Sequence, residues 1–234
     1  SARNVPAPYK AGLSFFVTLI VFGASDVDPV PMDSLYVLLI IKEILVGLLL
    51  AFVAAMFFSV VQIAGYFFDM MIGFFFANVV DPMTGAQSPI FGNFKFFLAM
   101  LIFLSFNGHH LLLAAVMDSY RWIPLAGDSL AGLYSGTVSE FLIRSFAEVF
   151  ALSFQMAAPF VAALFLVDVG LGVLAKTAPQ FNIFVVGLPL KIIVGLLVVL
   201  LMVSGFLPAF TGLFESLFDS LGELIERLAD RFQP

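Results

Sequence analysis

LYVLLIIKEILVGLLLAFVAAMFFSVVQIAGYFFDMMIGFFFANVV, residues 35–80, is the stretch that decides the fold. It is nearly continuous apolar sequence, about twice the roughly 20 residues that one membrane-spanning helix needs. Two parses fit it. One has two spans with a tight turn at the weakest point, Ser59 to Gly65 (SVVQIAG). The other has long, bent helices buried among protein rather than lipid, and hydropathy does not separate the two. The spacing within the run is informative. Glu43, Gly47, Ala51, Ala55 and Ser59 follow at intervals of four, and so do Gly65, Asp69, Gly73 and Ala77. Residues four apart share a helix face. Each stripe therefore offers small residues and one carboxylate to the same neighbour, a pattern that lets helix backbones approach closely.

The run passes into Phe74 to Pro89, FFFANVVDPMTGAQSP, and a second apolar run starts near Phe94. Pro82 and Pro89 lack a backbone N–H and bias the residues before them away from helix. Gly85 takes positive φ at little cost. The stretch reads as a compact non-helical loop between two membrane-type helices. Its polar side chains are few: Asn78, Asp81, Thr84, Gln87 and Ser88. One reading is a turn between antiparallel helices. The other is a hydrophobic plug, with Phe74, Phe75, Phe76 and Met83 closing a pore by filling it or by dewetting. Spacing alone leaves the two level.

Composition fixes the class. Of 234 residues, 62% are hydrophobic and 11% charged; soluble domains run near half apolar and about a quarter charged. The chain reads as an all-α integral membrane protein, and long, bent helical hairpins are one of the two architectures its apolar runs allow. Cysteine is absent, which excludes disulfides, thiolate metal sites and cysteine nucleophiles. The net charge of −6 comes largely from the C-terminal segment. There is no basic patch of the kind nucleic-acid binding requires, so no nucleic-acid partner is expected. No signal peptide is visible, and the opening SARNVPAPYK is polar and proline-rich. An N-terminal piece is expected to precede residue 1.

Working outward, residues 1–10 read as a loop or interfacial segment, and 11–22 as an apolar stretch too short to span alone. Together residues 1–33 form a first section, ending in the loop 23–33. Residues 34–137 form helical hairpins around a central loop at 76–89. Within them Phe94 to Met117 is helical with a break at Asn107-Gly108-His109-His110. A loop at 118–136 follows, with Arg121 and Trp122 as an interfacial anchor. Residues 138–210 form a second hairpin: 141–167 with a kink at Pro159, a polar connection at 168–182, and 183–207 closed by Pro208. The tail, 211–234, is an amphipathic helix. Phe214, Leu217, Phe218, Leu221, Leu224, Ile225 and Leu228 recur at three and four, with Glu215, Asp219, Glu223, Glu226, Arg227 and Asp230 opposite. Glu223 and Arg227 are spaced for an i,i+4 pair. The acidity of this helix favours docking on a protein partner over anionic lipid. All of this makes a single subunit.

No catalytic constellation is visible. The only histidines, His109 and His110, are adjacent, and neighbours on a helix point about 100° apart, a poor metal geometry. No metal, cofactor or catalytic residue is expected, and the chain reads as a non-enzyme. The charges within or beside apolar runs, Lys42, Glu43, Asp69, Lys95, Arg144, Glu148 and Lys191, matter more. Such charges cost a few kcal/mol on insertion scales and are paired or face a cavity. Helix-packing or inter-subunit pairing is favoured for Glu43, Asp69, Lys95, Arg144, Glu148 and Lys191; Arg144 and Glu148, one turn apart, are spaced to satisfy each other. The competing reading is an ion pathway with Asp69 or Glu43 as proton carrier, as in a stand-alone transporter.

Three segments carry a resemblance. They are FFDMMIGFFFANVVDPMTGAQSPIFGNFKFFLAMLIFLSFNGHHLLLAAVMDSYRWIPLA, the opening SARNVPAPYKAGLSFF, and AAPFVAALFLVDVGLGVLAKTAPQFNIFVVGLPLKIIVGLLVV. Together they resemble the FliR family of flagellar export-apparatus proteins, related to subunits of virulence type III secretion systems. The D-P-x-x-G-A loop, the F-N-G-H-H run and K-T-A-P-Q-x-N are specific in this order. The resemblance implies a pore-forming structural subunit of a helical export gate. Its partners would be FliP and FliQ homologues, with FlhB and FlhA-type export proteins. Unfolded flagellar subunits would pass through the channel, in the bacterial inner membrane at the flagellar basal body. It also implies that a loop contributes to channel closure. The matching positions are Phe74, Phe75, Phe76, Asn78, Asp81, Pro82, Met83, Gly85, Gln87 and Pro89.

Overall fold

The computed structural model describes residues 5–24, 36–73, 90–123, 136–180 and 182–229. Among these the chain is all helix and turn. Helix α1 spans Ala7–Ala24, α2 Tyr36–Ile72, α3 Ile90–Ser105, α4 Gly108–Trp122, α5 Gly136–Thr177 and α6 Ile183–Ala229. By length and composition α2, α5 and α6 can each cross a membrane, and the bent pair α3–α4 brings the total to as many as four.

The apolar run that admitted two parses is one helix. The 37 residues of α2 pass through Ser59–Gly65 without a turn. Ser59 Oγ donates to the Met56 carbonyl at 2.6 Å and so takes part in the helix rather than breaking it. Helix α2 is the axis of the fold, packing against α5, α3 and α6. Its buried face runs through Val53, Phe57, Val60, Ala64, Phe68 and Ile72. No described residue of α1 is buried. Helix α1 also starts earlier than expected, at Ala7, because Pro6 and Pro8 fit the first helical turn, where an N–H has no partner anyway.

Three expected boundaries fall inside helices. The loop expected from residue 118 begins later: α4 continues to Trp122, and the Ile123 N–H closes the helix on the Ser119 carbonyl at 2.8 Å. The polar connection expected from residue 168 is largely helical, since α5 runs to Thr177. Leu171 there is buried against Gly187 of α6, and Lys191 pairs with Asp168 across the two helices, so tertiary contact overrides the poor propensity of Gly170 and Gly172. Pro208 does not close α6, which continues to Ala229. A proline removes one hydrogen bond. In apolar surroundings every other backbone group still needs an internal partner, so the helix persists around it.

At 47 residues and about 1.5 Å rise each, α6 is roughly 70 Å long, more than twice a bilayer's hydrocarbon thickness of about 30 Å. Its first half exposes Leu190, Ile193, Leu196, Leu197, Leu200 and Leu201. Its second half buries Phe210, Leu213, Leu217, Leu221, Leu224 and Leu228. The apolar face of this amphipathic segment was expected to dock on a partner. It is instead filled by the chain's own α2, α3, α4 and α5, with Phe218 stacked on Phe103 of α3 and Phe214 tilted against it.

Candidate functional site

Helix α2 ends where Gly73 takes φ 92°, a conformation only glycine enters cheaply, and its N–H bonds the Met70 carbonyl at 3.2 Å. Helix α3 starts at Ile90. The segment 74–89, with every expected closure position, lies outside the described residues. Asp69 joins the two helix ends that flank it. Its Oδ1 accepts the Phe91 N–H at 3.1 Å and its Oδ2 the Gly92 N–H at 3.0 Å. The first N–H groups of a helix have no partner within it and carry the positive end of the helix dipole. A carboxylate one helix away fills that place, and it is 6% exposed.

This contact needs the helices to touch. A Cβ on Gly65 would overlap the Cα of Gly92, so α2 and α3 meet backbone to backbone one turn before Asp69. The Gly65–Asp69 stripe therefore packs as the spacing predicts. The Glu43 stripe does not: Gly47 faces open space, and Glu43, Gly47 and Ala51 line a groove of about 240 Å³ beside Ser119 and Tyr120 of α4.

Beneath the Asp69 contact lies an aromatic cluster. Phe68 lies against Phe91, ring centroids 4.0 Å apart, and meets Phe160 of α5 edge-on at 5.1 Å. One turn along α3, Lys95 is 1% exposed, with Nζ 5.2 Å from the Phe160 ring centroid and 5.6 Å from that of Phe206 on α6. Four helices thus converge at the base of segment 74–89.

The other charges do different things. Glu43 lies 3.4 Å from the buried Lys42 beside it. Lys191 pairs with Asp168, joining α6 to α5. Arg144 and Glu148, spaced to satisfy each other, are both exposed on α5 and form no ion pair with one another. Glu223 and Arg227 do pair, at 2.7 Å. At the break between α3 and α4, Asn107 adopts a left-handed φ of 56° and the axes bend by 68°. His109 and His110 are exposed on the first turn of α4. Among the described residues no three His, Asp or Glu side chains are grouped to hold a metal ion.

Sequence reasoning missed the role of Gly92, the engagement of Asp69 with backbone rather than a cation, and the pairing of Asp168. The four-residue spacing of Gly65 and Asp69 was the available signal, and it marked the face without marking what the face touches.

A family model described as bacterial export proteins, family 1, matches residues 1–217. The flagellar biosynthetic protein FliR of Bacillus subtilis is 47% identical over 196 residues, covering 83% of this chain and 75% of that one. The protein of the same name from Escherichia coli is 32% identical, over 84% of this chain and 74% of its own. Yop proteins translocation protein T of Yersinia pestis is 30% identical, over 78% of this chain and 70% of its own.

Proposed function

The chain belongs to the bacterial export proteins, family 1, and on that footing we propose that it is a pore-forming structural subunit of the flagellar type III protein export gate. Segment 74–89 contributes to channel closure. Phe74, Phe75, Phe76, Asn78, Asp81, Pro82, Met83, Gly85, Gln87 and Pro89 are the closure positions. FliP and FliQ homologues are the neighbouring gate subunits, FlhB and FlhA-type proteins adjoin the gate, and unfolded flagellar subunits are the cargo. The place is the inner membrane at the flagellar basal body. The role is structural rather than enzymatic.

The observation that carries the closure reading is the Asp69 contact. A segment that plugs a pore must be displaced without dragging its flanking helices with it. Here the C-terminal end of α2 and the first turn of α3 are held together by a buried carboxylate and by the Gly65–Gly92 approach. That is a rigid base on which a short segment can move.

The competing reading, a stand-alone transporter with Asp69 or Glu43 as proton carrier, has less support. Asp69 is engaged on both oxygens by backbone donors, and Glu43 lies beside Lys42.

The test is deletion of residues 77–87 in cells that make the whole apparatus. A leaky inner membrane with assembly intact is the expected result. Unchanged ion permeability would refute the closure role. Loss of proton flux in the purified, reconstituted Asp69→Asn protein would favour the transporter instead.

A further inference from the structure

A second feature lies on the far side of Lys95. Between α3, α5 and α6 is a half-open cavity of about 430 Å³ into which Lys95 faces. Its walls are apolar, chiefly Leu152, Met156, Phe160, Met202 and Phe206. An ammonium has three donors and no acceptor. Lys95 has two aromatic faces near it and, among the described residues, no carboxylate within 4 Å. A buried charge of this kind is costly unless it is paired. Among the described residues the lining therefore lacks one thing, an anion.

The mouth of the cavity indicates what brings it. Gly205, Ala209 and Gly212 border it on one face of α6. A Cβ added to Gly205 or Gly212 would meet nothing within 4 Å, so these glycines serve no packing among the described residues. Small residues spaced by four and three permit a second helix to approach backbone to backbone; a flexible lipid chain has no such requirement. Pro159 and Pro208 also border the cavity and deprive the carbonyls of Gln155 and Ser204 of their helical N–H donors.

We propose that this cavity seats an apolar helix of a partner subunit, whose Asp or Glu side chain enters it and pairs with Lys95. The inference rests on the export-assembly reading only for the existence of a partner. It assigns Lys95 the role of matching that partner to this face of α5 and α6.

A photo-crosslinking residue, p-benzoylphenylalanine, placed at Ala209 of the full chain in cells that make the apparatus tests the proposal. The expected adduct joins Ala209 to an apolar membrane segment of another chain that carries an Asp or Glu. Lys95→Met should lower its yield by at least about tenfold, since breaking a buried ion pair is strongly destabilising. Lys95→Arg, which keeps the charge, should retain the adduct and controls for folding. Lys95→Glu combined with a lysine at the mapped acidic position should restore it. An adduct indifferent to Lys95→Met would overturn the proposal. So would a charge swap that restores nothing, or native mass spectrometry showing that the site holds a phospholipid lost in Lys95→Met. Unchanged permeability after loop deletion would refute the closure reading and leave these outcomes readable.

Discussion

Gly65 and Gly92 touch backbone to backbone: a Cβ on the first would overlap the Cα of the second. The contact brings the end of α2 against the first turn of α3 and sets Asp69, one turn on, within reach of the Phe91 and Gly92 N–H groups. The neighbour at Gly65 is backbone, which cannot rotate away.

Gly65→Ala therefore has to push the two helices apart. Overpacking of this kind costs about 1–3 kcal/mol, and separation also weakens the Asp69 contact. Thermal unfolding of the detergent-solubilised protein should show a clear loss of stability. Gly47→Ala, where an added Cβ meets nothing within 4 Å, should leave it unchanged or raise it by up to about 1 kcal/mol, alanine being the better helix former. Equal losses at both sites would mean that the Gly65–Gly92 contact is not what sets the cost, since propensity alone makes Gly→Ala stabilising.

Asp69→Ala removes two acceptors from buried N–H groups. Loss of a helix cap typically costs about 0.5–2 kcal/mol. Asp69→Asn keeps one carbonyl oxygen and should fall between Ala and wild type. A membrane-leak assay separates the roles: if Asp69 fixes the base of segment 74–89, leak should increase in the order wild type, Asn, Ala. A proton carrier would instead be equally inactive as Asn and as Ala.

Leu217 and Leu224 are fully buried where α6 packs on the chain's own helices. Leu→Ala at such sites costs about 2–5 kcal/mol through lost transfer energy and the cavity left behind. Either substitution should lower the yield of folded subunit before any partner is added. Were the face a docking site for another protein, the isolated subunit would be unaffected and only co-purification would suffer.

Arg227 bonds Glu223 at 2.9 Å, reaches the Thr137 carbonyl at 3.5 Å and lies over the Phe141 ring at 5.7 Å. It ties the end of α6 to the start of α5. Exposed pairs are worth roughly 0–1 kcal/mol, so Arg227→Ala should cost no more than about that much. Arg227→Lys should recover the ion pair but not the planar stacking on Phe141. Hydrogen exchange at residues 136–141 is the readout, with faster exchange in Ala than in Lys. Identical protection in all three proteins would make the contact inconsequential.

Composition and periodicity alone determined the membrane class, the all-helical architecture, the break near Asn107, the amphipathic end of α6 and the Glu223–Arg227 pair. Each follows from residues a few positions apart, and helix geometry converts such spacing directly into a face. Local signals misplaced what depends on distant partners. Gly170, Gly172 and Pro208 are helix breakers by propensity, yet they lie within helices because α5 and α6 bury Leu171 and pair Lys191 with Asp168, and because apolar surroundings penalise any unbonded backbone group. The single helix at 36–72 is likewise a consequence of packing, since hydropathy cannot count turns in an unbroken apolar run. The roles of Asp69 and Lys95 lay beyond the sequence for the same reason. A carboxylate and an ammonium announce that a partner is needed; only the tertiary arrangement supplied backbone N–H groups to the first and aromatic faces and a cavity to the second.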